Sequence, residues 1–248
     1  ISRLIDNPFC RPALPPDTGN DAEPNDGENE SPDNGDQQDN SPLPTPPVTW
    51  QMAKASMSRF ASTGERNSLS RAGRDYVGAK GGRRAAAQAA STGKSVALKV
   101  GGFLSTVASA GIRTALDEIG LGHMVGRSAP EVLAALIDVL APAGATLQEA
   151  AARKAADDVL EKLYEDYIAK TGDVTALESL DKDGITNAIE ASVAGYIYNL
   201  WLDELGLSIE TKAISPLQAV GLERDVRVYV RERVRLELGD NDPVSIDW

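Results

Sequence analysis

The chain has 248 residues, 42% of them hydrophobic and 25% charged, with a net charge of −12. That suffices for one helical domain of ordinary size plus an unstructured stretch. A single cysteine, Cys10, excludes an internal disulfide framework, and a single histidine, His123, excludes a two-histidine metal set. No apolar run approaches the roughly 20 residues that cross a bilayer. Segment 96–112 is broken by Lys99 and Gly101-Gly102, and segment 188–202 by Glu190 and Asn199. A cytoplasmic protein without membrane contact is therefore expected, and because the first residue is Ile1 the native start is expected upstream.

The charge is laid out in three blocks. Residues 1–48 hold ten acids against Arg3 and Arg11, 49–112 hold ten bases against Glu65 and Asp75, and the rest holds 25 acids against 13 bases. The net charges are −8, +8 and −12. Residues 15–47 are mostly Pro, Asp, Asn, Glu, Gly and Ser, and cannot bury enough apolar area to offset roughly 1–2 kcal/mol of ordering per residue. An acidic, Pro-rich extended tail over 1–48 is predicted, either a solvated linker or a segment held by a partner. Its start differs in character: Leu4, Ile5, Pro8, Phe9, Pro12 and Leu14 form an apolar cluster of the size that short docking peptides use. With Trp50, where the tail meets the first helix, they make up the predicted partner-binding set.

From Thr49 the pattern is helical, and a multi-helix bundle of eight or nine helices is predicted over 49–240, with a short tail at 241–248. Trp50, Ala53, Met57, Phe60 and Ala61 recur at spacings of three and four behind a Thr49 cap, with Gly64 as the stop. Further helices are expected over about 68–79, over 83–90, which is alanine-rich, over 94–110, and over 112–119. Ser128 to Glu131, with Pro130 between them, reads as a capping box that opens the next helix. Thr146 opens what reads as the longest helix, to about Lys170 with Gly172 after it, and another starts at Asp183 or Gly184. The last segment is two-sided. Val226, Val228, Val230, Val234, Leu236 and Leu238 suggest a strand's alternation, yet Leu222, Val226, Val230, Val234 and Leu238 fall at every fourth position. A helix is predicted, because eight preceding helices offer a lone strand no sheet to join.

Motifs that suggest chemistry do not survive their surroundings. Ser91-Thr92-Gly93-Lys94-Ser95 resembles the end of a phosphate-binding loop, but the position that needs the first glycine is Gln88, and the upstream segment reads as helix instead of strand. It is read as a helix junction. His123 lies in a glycine-bounded loop, and Asp157, Asp158, Glu161 and Glu165 lie on a polar helix face with no histidine to complete a di-iron set. Cys10 has only Arg11 beside it as a base, which is too little to fix a thiolate nucleophile. No enzyme, no cofactor and no metal is predicted. The basic residues Arg71, Arg74, Lys80, Arg83 and Arg84, some flanked by Gly78, Gly81 and Gly82, are predicted contacts for an acidic partner or for nucleic acid, the protein partner being favoured.

Several short stretches carry a resemblance through their order and spacing. They are Arg59-Phe60-Ala61 with Gly64, Ser70-Arg71-Ala72-Gly73-Arg74-Asp75-Tyr76-Val77, and Gly81-Gly82-Arg83-Arg84. Then come Ala115-Leu116-Asp117-Glu118-Ile119-Gly120 with Val125-Gly126-Arg127, and Pro142-Ala143-Gly144-Ala145-Thr146 with Glu149 to Arg153. Over 52–238, about three-quarters of the chain, this resembles the QatB component of QatABCD anti-phage defence systems. The resemblance implies a helical accessory protein encoded beside an ATPase (QatA), a QueC-like enzyme (QatC) and a TatD-like nuclease (QatD). It implies QatC as the chief partner, and a glycine-led N-terminus followed by a proline-rich tail that would accept a deazaguanine-type modification from QatC. Ile1 is not that glycine, so the acceptor is expected upstream of it. The alternative function is a nucleic-acid-binding sensor that serves the nuclease through the basic residues between 54 and 99.

Overall fold

A computed structural model describes residues 48–213 and 215–238, and among them there are ten α-helices and no strand. The helices are α1 (Trp50–Thr63), α2 (Arg66–Ala79), α3 (Arg83–Ala89), α4 (Ser91–Ala110) and α5 (Ile112–Glu118). They continue as α6 (Ala129–Leu140), α7 (Leu147–Leu163), α8 (Lys182–Leu205), α9 (Leu207–Lys212) and α10 (Pro216–Leu238). Nine have seven residues or more, so the predicted all-α bundle is the observed architecture.

The boundaries follow local chemistry. The Thr49 hydroxyl accepts from the Met52 N–H at 3.4 Å, and Gly64 ends α1 at φ 67°, a left-handed conformation that only glycine adopts without strain. At α7, Thr146 and Glu149 satisfy each other's backbone amides at 3.2 and 3.0 Å. At α6, the Ser128 N–H and hydroxyl both donate to Glu131. Both glutamates are held below their ordinary pKa, chiefly by the hydroxyl bond and then by the backbone bond.

Four features differ from the sequence reading. The helix opened by Thr146 is not the longest: after Leu163 the backbone widens into a π-turn, Tyr164–Ile168, and only then meets Gly172. The longest is α8, which Asp181 caps by accepting from the Gly184 N–H. Helix α4 starts at Ser91 instead of Lys94, and α10 starts at Pro216, six residues before Leu222. The short helix α9 had no periodic signal, being a single six-residue turn that buries only Ile209.

Two hydrophobic clusters share α8 as a common wall. On one side Ile185, Ala188, Ile189, Tyr196 and Leu200 pack with residues of α4 to α7. On the other, Val193, Ala194, Tyr198, Trp201 and Leu205 pack with α1, α2, α9 and α10. A helix stretch apolar on more than one face packs on more than one side, and the middle of α8, Ala188 to Trp201, is such a stretch, while Lys182, Asp183, Asn187 and Asp203 are exposed. Helix α10 faces the second cluster with Leu222, Val226, Val230, Val234 and Leu238. The every-fourth-residue reading thus holds over the alternating one, which would have turned Val228 and Leu236 inward; both are exposed.

Candidate functional site

Where the N-terminal segment joins the bundle, side chains from four helices converge. Val48 lies against Gly78 of α2, at which a Cβ would come within 2.7 Å of the valine's own Cβ. Two residues on, the Trp50 ring meets Tyr76 edge to face at 5.8 Å between centroids, and Tyr76 stacks on Trp201 of α8 at 5.5 Å. Trp201 in turn meets Tyr229 of α10 at 6.1 Å. Four aromatic rings therefore run from the surface inward and out again, in offset and edge-to-face geometries worth about 0.5–1.5 kcal/mol per pair beyond burial. Trp50 is 38% exposed at the outer end, while Trp201 is almost fully buried.

A charged pair seals this stack. Lys80 donates to Glu204 Oε1 at 2.5 Å, and Tyr76 donates to Glu204 Oε2 at 2.6 Å. The lysine side chain is only 15% exposed and the glutamate 18%. The same ammonium sits 5.3 Å from the Trp50 ring centroid and 5.4 Å from that of Tyr76, within cation–π range. Burial, and then the bond to Glu204, push the Tyr76 phenol well above its usual range, so it stays a hydrogen-bond donor. Lys80→Met is expected to cost about 1–3 kcal/mol in urea unfolding, since it leaves a half-sheltered carboxylate without its cation. Adding Glu204→Gln should cost less than the sum of the two single changes, and strict additivity would show that the pair is not coupled.

The predicted site residues are thus distributed unevenly. Lys80, read as a contact for an outside anion, is committed inside the molecule to Glu204 and lies with Trp50 in one site. Arg71 approaches Asp75 at 3.9 Å, and that carboxylate also accepts from Ser56 of α1. Arg74 and Arg84 are exposed on α2 and α3, and Arg83 is half-buried. Leu4, Ile5, Pro8, Phe9, Pro12 and Leu14, like the 239–248 end, lie outside the described residues. Sequence reasoning missed Glu204 and Trp201 as partners of Tyr76, and Tyr229 as the ring beyond Trp201. A local signal for Glu204 was the acidic pair Asp203 and Glu204 near the end of a largely apolar helix.

The phosphate-loop-like stretch has a packing explanation. Ser91 to Ser95 form the first turn of α4, so the junction reading stands, with the helix beginning at Ser91. A Cβ on Gly93 would collide with the Tyr196 ring of α8, and one on Gly101 would come within 2.6 Å of Ile189. The two glycines let α4 lie close on α8. Beside them a shallow cleft of about 390 Å³ is lined by Ser91, Thr92, Ser95, Lys99 and Glu149, among others. Among the described residues no group of three His, Cys, Asp or Glu side chains is placed to hold a metal ion, and no helix is long and apolar enough to cross a membrane.

The described residues define an all-helical bundle in which Val48 and Trp50, at the start of α1, are packed against α2 beside Tyr76 and Lys80. The chain belongs to the QatB family: residues 81–248 match the family model described as "Qat anti-phage system associated protein QatB". It is thus an associated component of a Qat anti-phage system. No curated protein and no solved structure matches it.

Proposed function

We propose that the chain is a non-catalytic, cytoplasmic adaptor of its Qat system, which holds its N-terminal segment out for the QueC-like partner QatC to bind and modify. In this reading residues 1–48 form the presented segment, with the apolar anchor at 4–14; residues 49–240 form the holding domain, and 241–248 a short tail. QatA and QatD are further partners in the same assembly. The observation that carries the reading is the clamp at the segment's root: Val48 against Gly78, and Trp50 over Tyr76 and Lys80. A fixed Val48 and Trp50 support the reading because presentation to a second protein requires an anchored start to the holding domain. Lys80, one of the basic residues on which the nucleic-acid alternative rests, is engaged with Glu204, which weakens that reading.

Co-purification of the full chain with QatC tests this directly. Replacing Leu4, Ile5 and Phe9 by serine, or deleting residues 1–47, should lower recovered QatC by about tenfold or more, as loss of apolar anchors does at docking surfaces. Undiminished recovery would remove the segment from the reading. Intact mass of the native N-terminus with and without QatC reads the modification; an unchanged mass would leave binding alone.

A further inference from the structure

Helix α10 turns a second, unclaimed face outward. Leu217, Val220, Arg224, Val228, Arg231 and Arg235 follow one another mostly at spacings of three and four, so they share one side of the helix. Every one of them is exposed, with Leu217 at 83%, Val220 at 63% and Val228 at 48%. The stripe runs about 27 Å, five turns, at 1.5 Å per residue. It lies opposite the buried row of Leu222, Val226, Val230 and Val234, so core packing does not account for its apolar members.

Its sign is also out of keeping with the chain. The protein carries −12 in all, yet this stripe has three arginines and no acid. The acids of α10 lie off it: Glu232, for instance, binds Arg66 of α2. Arg227, on the flank, is turned over the Tyr198 ring at 4.5 Å. The half-buried Glu190 of α8 stands near Arg231 and Arg235; burial, the larger effect, raises its carboxyl's pKa, while the two arginines pull it down.

We infer that this face of α10 docks an acidic amphipathic segment of a partner protein, one whose leucine-type side chains meet Leu217, Val220 and Val228 while its carboxylates meet the three arginines. Charge and apolarity alternate along the stripe, and such a partner complements both. A nucleic-acid backbone would satisfy the arginines and leave the aliphatic side chains without partners. An anionic bilayer surface is held by clusters of about 4–8 basic residues, more than the three arginines of this stripe. A second copy of the stripe would bring three more arginines and no acid, so the arginines would stay without carboxylate partners. This inference concerns a surface apart from the N-terminal segment and does not depend on that reading.

The test uses the full chain and a fluorescent, end-blocked peptide of about 20 residues, long enough to cover the stripe as a helix, with leucines at every third or fourth position and glutamates elsewhere. The peptide is expected to bind, with affinity that falls as salt rises. Arg224→Glu with Arg231→Glu should weaken it by about tenfold or more, and Val220→Ser with Val228→Ser by about fivefold. Circular dichroism melts should show both double variants folded as the parent. The inference fails if the peptide does not bind, if a scrambled peptide of the same composition binds equally, or if neither variant weakens binding. It fails equally if phosphatidylserine vesicles or a DNA duplex bind this face more tightly than the peptide, or if sedimentation shows the chain pairing with itself through it.

Discussion

Trp201→Ala is expected to cost about 3–5 kcal/mol and to lower the melting temperature by on the order of 10 °C, the largest single loss in the second cluster. The indole is 3% exposed, stacks on Tyr76 and meets Tyr229 edge on, so truncation leaves a cavity where three helices meet. Its Nε1–H has no hydrogen-bond partner, which makes Trp201→Phe informative. Phenylalanine keeps a ring and removes the unpaired donor, and it should cost less than half as much as alanine. The alanine variant should also weaken the hold on Trp50, read as a loss of near-ultraviolet circular dichroism beyond that of one tryptophan. A melting temperature unchanged in Trp201→Ala would show that the aromatic row does not support the junction.

Gly93→Val should destabilise by about 1–3 kcal/mol or more, because the added carbons have nowhere to go. The Tyr196 ring that they would meet is buried, and its hydroxyl donates to the Ala89 carbonyl at 3.2 Å, so it cannot swing aside without losing that bond. The outcome separates two meanings of one motif. A glycine that serves phosphate binding can be replaced with little effect on folding, whereas a glycine that seats one helix on another cannot. Thermal melts of Gly93→Val beside Lys94→Ala make the comparison: the glycine variant should melt well below the lysine one. Equal melting temperatures would argue against the packing explanation.

Much of the fold was legible because helix ends are written locally. Thr49, Gly64, the Ser128 and Glu131 pair and the Thr146 and Glu149 pair are start and stop signals that need nothing beyond four residues. The row at every fourth residue in α10 was likewise decisive once no sheet was at hand. What escaped was of two kinds. Local irregularity escaped: the π-turn after Leu163 and the single turn of α9 leave no periodic trace. So did pairing across long separations, since Tyr76 and Glu204 stand 128 positions apart and no local pattern ties them. The site suffered most from this second kind. Lys80 looked like an outward-facing cation because its carboxylate lies on another helix, and the helix-junction reading of Gly93 gave no sign of the α8 ring that it accommodates.

The shared wall that α8 makes between the two clusters has a consequence for how the domain comes apart. Val193 and Ala194 face one cluster and Ile189 and Tyr196 the other, within two turns of a single helix. Neither cluster can melt without stripping one side of that helix and leaving apolar surface in water. Loss of either half is therefore expected to drag the other with it, so that the helical bundle should unfold as a single cooperative unit. Damage to the clamp at Trp50 and damage near Pro142 should then have the same end state. It would be a chain that loses its ordered whole at once, with no half-folded remnant.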